Sequence, residues 1–309
     1  MVSSLVGVAL LIAGLALVVG GAELFFDGLL AAAARFRLSP FVLTAVVSGF
    51  ELENLAAGIA ANLKGLGNAA AGTFLGGTTF LALGVAGLSA MVAPIRARLP
   101  APVILLAAAA PLPLLALGAD GDLSRLDGAV LLAWSIAAIG GIAYSGRHLD
   151  TLQQSVAKSG RRRPLVRMVG GLAVLSGAGE ALGEGLHRVV SHLGVSQSLL
   201  GNTAVAAAVE VEEVGRVAVP AKRGRSDVAL GNVFGTIAHF AAFNAGVIAL
   251  VRPIHLDSVS HHLHLPVAAG SALALAALTA WRSGLGRREG ALLLALYAAY
   301  VATAIALSA

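Results

Sequence analysis

The sequence predicts an all-α membrane protein of about ten transmembrane helices, arranged as two inverted five-helix repeats with both termini outside. Three observations predict it. Of the 309 residues, 58% are hydrophobic and 12% charged, and the mean hydropathy is +0.87, too apolar for a soluble domain. The apolar stretches are joined by loops alternately rich and poor in Lys and Arg. An acidic motif, Glu51-Leu52-Glu53-Asn54, returns 159 positions later as Glu210-Val211-Glu212-Glu213, each time inside a stretch long enough to cross a bilayer. Carboxylates at that depth are costly unless they pair, protonate or hold a cation, so the two clusters mark a site.

At about 20 residues per span, the candidates run roughly 4–33, 39–63, 68–92, 100–118, 127–145, 165–191, 196–220, 227–251, 264–281 and 290–308. The first lacks a basic leader and continues into Gly20-Gly21-Ala22-Glu23, so it reads as a retained span and not a cleaved signal. Of the 21 Lys and Arg residues, sixteen fall in loops on one side, four on the other, and Arg216 lies inside a span. By the positive-inside rule this alternation orients both termini outward in the cell (inner) membrane. The net charge of +5 therefore belongs to topology and asks for no nucleic-acid partner. Cysteine is absent, which excludes disulfides and thiolate metal sites.

The repeat is readable along the chain. Glu23, Asp27, Gly28 and Leu29 correspond to Glu180, Glu184, Gly185 and Leu186 at an offset of 157; Thr44 with Thr203, Gly72 with Gly231 and Gly76 with Gly235 correspond at 159, which places two extra residues at Gly201-Asn202. Five crossings separate the copies, an odd number, so they insert in opposite orientations, the inverted-repeat plan of secondary transporters. The organisation is a first repeat at 1–145 with its acidic motif at 49–54, a basic cytoplasmic linker at 146–164, and a second repeat at 165–309 with its motif at 208–213. Arg161-Arg162-Arg163 in the linker is a topology determinant able to touch anionic lipid headgroups.

The motifs Gly49-Phe-Glu51-Leu-Glu53-Asn54 and Gly72-Thr73-Phe-Leu-Gly76-Gly77-Thr78, with their second copies Ala208-Val-Glu210-Val-Glu212-Glu213 and Gly231-Asn232-Val-Phe-Gly235-Thr236, resemble the alpha-repeats of the cation/Ca2+ antiporter superfamily. That group includes the Na+/Ca2+ and H+/Ca2+ exchangers. The resemblance extends over nearly the whole chain and implies a central cation site, alternating access, no enzymatic activity and no resident cofactor. The implied cargo is Ca2+ or another divalent cation, with Na+ or H+ as coupling ion. The departures are equally specific. The family's two site-forming Glu positions fall on Asn54 and Glu213, its preceding Ser on Glu51 and Glu210, and its helix-breaking Pro on Glu53 and Glu212.

Positions i and i+3 share a helical face, so Glu51 with Asn54 and Glu210 with Glu213 should point together toward the site. Glu53 and Glu212 lie off that face unless the helix unwinds, now without Pro to encourage it. The second-wall positions of the family become Gly77/Leu81 and Thr236/Phe240, leaving Thr78, Thr79, Thr236, His239 and Asn244 as polar candidates; His239 is either a ligand or a packing residue. Clustered carboxylates suit a hard cation taking six to eight oxygens. Up to five crowded acids cannot all stay ionised without a cation, so H+ is as open a coupling ion as Na+.

Other features carry less. Glu23, Asp27, Glu180 and Glu184 either line an access route or sit at an interface, and His255, Asp257, His261, His262 and His264 form either a solvated edge or a transition-metal collector. The last possibility keeps a proton-coupled transition-metal or monovalent cation transporter open, and a channel on the same fold is a further alternative. Neither a Walker motif nor His-Glu-x-x-His is present.

Overall fold

The computed structural model describes residues 2–49, 51–149, 163–190 and 211–308. Outside them lie Glu210, Thr203, Gly201-Asn202 and most of the basic linker. Within them the chain is helical apart from one two-stranded clasp. Among the described residues, eight helices are long and apolar enough to cross a membrane, and they begin and end near the boundaries expected from hydropathy.

In order, the helices are α1 Val2–Phe36, α2 Pro40–Val47, α3 Leu52–Leu63, α4 Gly67–Val92, α5 Ala101–Asp120, α6 Arg125–Gly146, α7 Pro164–Val190, α8 Val211–Lys222, α9 Ser226–Val251, α10 Ser260–Arg282 and α11 Arg287–Ser308. The expected second span, 39–63, is thus not one helix but two halves, α2 and α3, and the described part of the seventh begins at Val211. Helix α5 is interrupted at Ala110-Pro111, where proline removes a backbone donor. The clasp pairs Asp122 with His255 and Leu123 with Ile254 in antiparallel register, and a second bridge joins Ile95 to Leu285.

Two pairs of helices have boundaries at one constant offset. Helix α3 and helix α8 occupy positions 159 apart, as do α4 and α9, and both of the latter pass into π-helical winding at equivalent places, Phe80–Val85 and His239–Asn244. Such widened turns recur at functional sites. The packing exchanges helices between the copies. Helix α6 lies against the last turns of α9, where Gly128 and Gly246 bring the two backbones into contact, while α11 lies on the last turns of α4 at Gly87 and Gly290.

Helices α4 and α9 are the most buried of the long helices, and α11 presents the most surface. The core therefore surrounds the half-helices, and the outer helices turn Leu, Ile and Val toward lipid, as at Ile12, Leu105, Ile136 and Leu296. Among the described helices, α1 and α7 share the most extensive contact, and they run antiparallel. Every seventh residue on the α1 face is glycine: Gly7 meets Gly185 and Val189, Gly14 meets Leu182, Gly21 meets Val174 and Leu175, and Gly28 meets the main chain of Arg167 and Met168. Without a hydrophobic drive between helices in lipid, such close backbone approach supplies the dispersion that holds them.

Gly28→Leu is expected to force α1 off α7 and destabilise the purified protein by about 1–3 kcal/mol. Gly20→Leu, at an exposed position with open space beyond it, should be nearly neutral. Thermal unfolding in detergent compares the two.

A candidate cation site closed by an arginine

The break between α2 and α3 supplies the first half of the site. Helix α2 ends at Ser48, Glu51 caps the start of α3 with φ −86° and ψ 85°, and the Glu51 amide turns back to the Gly49 carbonyl at 2.9 Å. Proline is not needed for this unwinding. A Cβ on Gly49 would collide with the His239 imidazole, so glycine lets the turn lie directly on α9. The turn leaves the carbonyl end of α2 and the amide end of α3 facing inward, with opposite partial charges.

Helix α8 supplies the second half. Glu212 and Glu213 occupy its first turn and Arg216 the next, one helical turn from both. The Arg216 Nη2 donates to Glu51 Oε1 at 2.9 Å and Glu212 Oε1 at 3.0 Å and also pairs with Glu213 Oε1. Its Nη1 donates to the Ser48 carbonyl at 3.1 Å, at the end of α2. The side chains of Arg216, Glu51, Glu212 and Glu213 are 1%, 7%, 13% and 0% exposed, so the four charges share one largely dry compartment. Two carboxamides orient the acids from behind: Asn54 Nδ2 donates to Glu51 Oε2 at 2.6 Å, and Asn232 Nδ2 donates to Glu213 Oε2 at 2.9 Å.

The residues expected from sequence divide accordingly. Glu51 and Asn54 share a face and a hydrogen bond, as their spacing implies, and Glu213 meets Glu51 on Arg216. Glu212, expected off that face, is drawn in by Arg216. Glu53 is exposed, and Glu210 lies outside the described residues. Thr236 is buried but spends its hydroxyl on the Asn232 carbonyl of its own helix at 2.9 Å, as Thr79 does on Leu75. The His239 Nδ1 donates to the Gly235 carbonyl at 2.8 Å, which locks the ring against the Gly49 turn. Asn244 is buried in the π-helical stretch of α9. Thr78 is fully buried, and its hydroxyl has no hydrogen-bond partner among the described residues.

Thr78 is not alone in this. Thr44 Oγ1, Ser48 Oγ, Glu212 Oε2 and Asn232 Oδ1 are also buried without hydrogen-bond partners among the described residues. Phe240, in contrast, packs its ring on Gly77, and Leu81 joins the same apolar cluster, so the second-wall positions are hydrocarbon. Two partners of the acids, Arg216 and Asn232, are absent from the site read in the sequence. The signal for Arg216 was present: an arginine within an apolar span, three and four residues from two glutamates, is rare enough to require a partner.

Elsewhere the acidic and histidine clusters resolve into local pairs. Arg223 reaches Asp27 at 2.7 Å and Glu23 at 3.5 Å, and Arg188 holds Glu184 at 2.6 Å. His255 faces Asp122, His261 the Ala119 carbonyl, His262 the Ser258 carbonyl and His264 the Tyr300 hydroxyl. Among the described residues, no three His, Asp or Glu side chains converge on one metal-sized space. The three glutamates converge on a guanidinium instead.

A buried acidic centre between a broken span and the start of α8, in a bundle of long apolar helices, defines a multi-pass membrane protein of the antiporter class. The sequence profile of the sodium/calcium exchanger protein family matches residues 6–140 and 164–306, and the chain belongs to that family. It is 26% identical over 317 residues to the protein named "Putative antiporter CaxA" of Alkalimonas amylolytica, covering 96% of this chain and 98% of that one. It is also 26% identical over 274 residues to the inner membrane protein YrbG of Escherichia coli (strain K12), covering 83% of each. Among solved structures, the sodium-calcium exchanger NCX_Mj soaked with zero Na+ and Ca2+ superposes with a TM-score of 0.81 at 27% identity, over 98% of this chain and 99% of that one. The same exchanger soaked with 10 mM Na+ and zero Ca2+ gives 0.80 at 26% identity, over 97% and 99%.

Because Glu213 is fully buried, losing the Asn232 donor leaves a carboxylate oxygen without compensation. Asn232→Ala is expected to cost about 1–3 kcal/mol, and Thr236→Val, which removes only a hydroxyl bonded to its own helix, clearly less. Paired thermal melts of the two variants check the order.

Proposed function

We propose that this protein is a secondary-active cation antiporter that exchanges Ca2+ or another divalent cation against Na+ or H+ at the acidic centre, by alternating access. One observation carries the reading. Carboxylates from the α2–α3 break and from the first turn of α8 meet in a buried compartment, where the Thr44, Ser48 and Thr78 hydroxyl oxygens and Glu212 Oε2 are buried without hydrogen-bond partners among the described residues. Hard cations take oxygen ligands, and carboxylates supply charge as well as coordination. Glu51, Asn54, Glu212 and Glu213 form the centre of the site, Glu210 adds a ligand on the face of Glu213, and the Thr44, Ser48 and Thr78 hydroxyls complete it. Glu53, Thr236 and His239 take supporting places, on the surface and in the helix packing.

The rest of the fold suits the reading. With the eight long helices, the α2–α3 segment and the segment ending in α8 make ten crossings in two inverted five-helix repeats, both termini outside, in the inner membrane. The antiparallel pairing of α1 with α7, the first helices of the two copies, supports that inversion. Discontinuous helices whose ends face the ion are the common device of such carriers. The ions are the protein's partners together with membrane lipid, and no cofactor takes part.

Proteoliposomes holding the purified protein should take up millimolar Ca2+ when an outward Na+ or H+ gradient is imposed and not when none is. Glu51→Gln and Glu213→Gln should each reduce that uptake at least tenfold while leaving helicity and monodispersity unchanged. Gradient-independent uptake, or full activity in either variant, would sink the assignment.

A further inference from the structure

Resting on the cation-antiport reading, we propose that Arg216 is a tethered cation that fills the ion position of the unloaded site, so that a metal cation binds only by displacing it. The geometry is that of a coordinated ion. One nitrogen, Nη2, is shared by carboxylate oxygens of Glu51, Glu212 and Glu213, contributed by both halves of the molecule, while the other terminal nitrogen holds the Ser48 carbonyl at the end of α2. Each of Glu51 and Glu213 gives one oxygen to the arginine and the other to a carboxamide, so the acids are already aimed at a central positive charge.

The repeat shows that this charge belongs to one copy alone. The position 159 residues before Arg216 is Ala57, an exposed residue, whereas α3 and α8 otherwise coincide in length and register. Two differences in charge therefore fall on one helical turn: Asn54 against Glu213, and Ala57 against Arg216. The second copy carries an acid and a base, in contact, where the first carries neither charge.

Burying a guanidinium removes its hydration, and only several close anions offset that cost. A divalent cation entering beside it would meet a like charge at contact distance in a compartment of low dielectric. Metal and guanidinium therefore exclude one another. Arg216 sets both the affinity of the site and the charge it carries when no ion is bound.

The test is Ca2+ binding to the purified full-length protein in detergent, read by equilibrium binding of radioactive Ca2+. Arg216→Gln should bind Ca2+ at least about tenfold more tightly than wild type, since far more than the 1.4 kcal/mol of a tenfold change is at stake in a contact charge. The gain should vanish when Glu213→Gln is added, and Arg216→Lys, which keeps the charge, should stay close to wild type. A folded Arg216→Gln that binds Ca2+ no more tightly than wild type overturns the proposal. Should that variant not fold, Arg216→Ala prepared with a few millimolar guanidinium provides a second arm: rising guanidinium should weaken Ca2+ binding competitively, and no competition overturns the proposal. The two readings fail separately. Tighter binding by Arg216→Gln without gradient-driven uptake in wild type would remove transport and keep the tethered cation; uptake without the gain in binding would remove the tethered cation alone.

Discussion

A guanidinium shared by three carboxylates is the contact on which the centre of this molecule depends. Glu51, Glu212 and Glu213 would repel one another in a dry compartment, and Arg216 would be as costly there by itself. Together they form a compact cluster in which each charge has an opposite neighbour. Because Arg216 also holds the Ser48 carbonyl, the cluster joins the ends of α2, α3 and α8 and fixes how the broken span and α8 face each other. The same contact is therefore structural and electrostatic at once.

The surrounding helices make such a cluster possible by exposing backbone only where it is covered. The unwound turn at Ser48 to Glu51 would be untenable against lipid, but it lies on α9, where Gly49 admits the His239 ring and Gly235 admits the backbone of Ala45. His239 in turn gives its Nδ1 proton to a carbonyl and acts as a wedge between the turn and the helix. Its position beside the acids and its use as packing are compatible, because the break must be filled by something rigid.

Much of this fold is legible in the sequence for a plain physical reason. Bilayer thickness sets helix length, and hydrocarbon excludes charge, so the long helices fall near the boundaries that hydropathy and Gly or Pro punctuation mark. The 159-residue spacing of Gly72 with Gly231 and Gly76 with Gly235 is also legible, and the boundaries of α4 and α9 keep it. The Glu51 and Asn54 contact follows from i, i+3 geometry alone. Less visible is the break in the second span: without proline, nothing local distinguishes Gly49 at a bend from Gly58 inside a helix, and only the approach of His239 from α9 decides it. The grouping of Glu51 with Arg216 is hidden for a related reason. It spans 165 positions and depends on how α3 and α8 face each other, which no local period encodes.

Repeat symmetry then explains why the asymmetry matters. Two identical acidic turns brought face to face would build a site of matched carboxylates, to which a cation from solution must supply all the compensation. Here the first copy offers Glu51 and a neutral Asn54, with Ala57 beyond them; the second offers Glu212 and Glu213 followed by Arg216. The two copies are no longer interchangeable halves of an ion cage: one contributes the acid and carboxamide, and the other contributes acids together with the charge that balances them. With Phe240 and Leu81 packed as hydrocarbon, the buried charge is concentrated on Glu51 and on the first turns of α8, with Asn232 behind Glu213. The family fold is thus kept, while in this chain the charge that compensates the buried acids comes from Arg216, a residue of the fold itself.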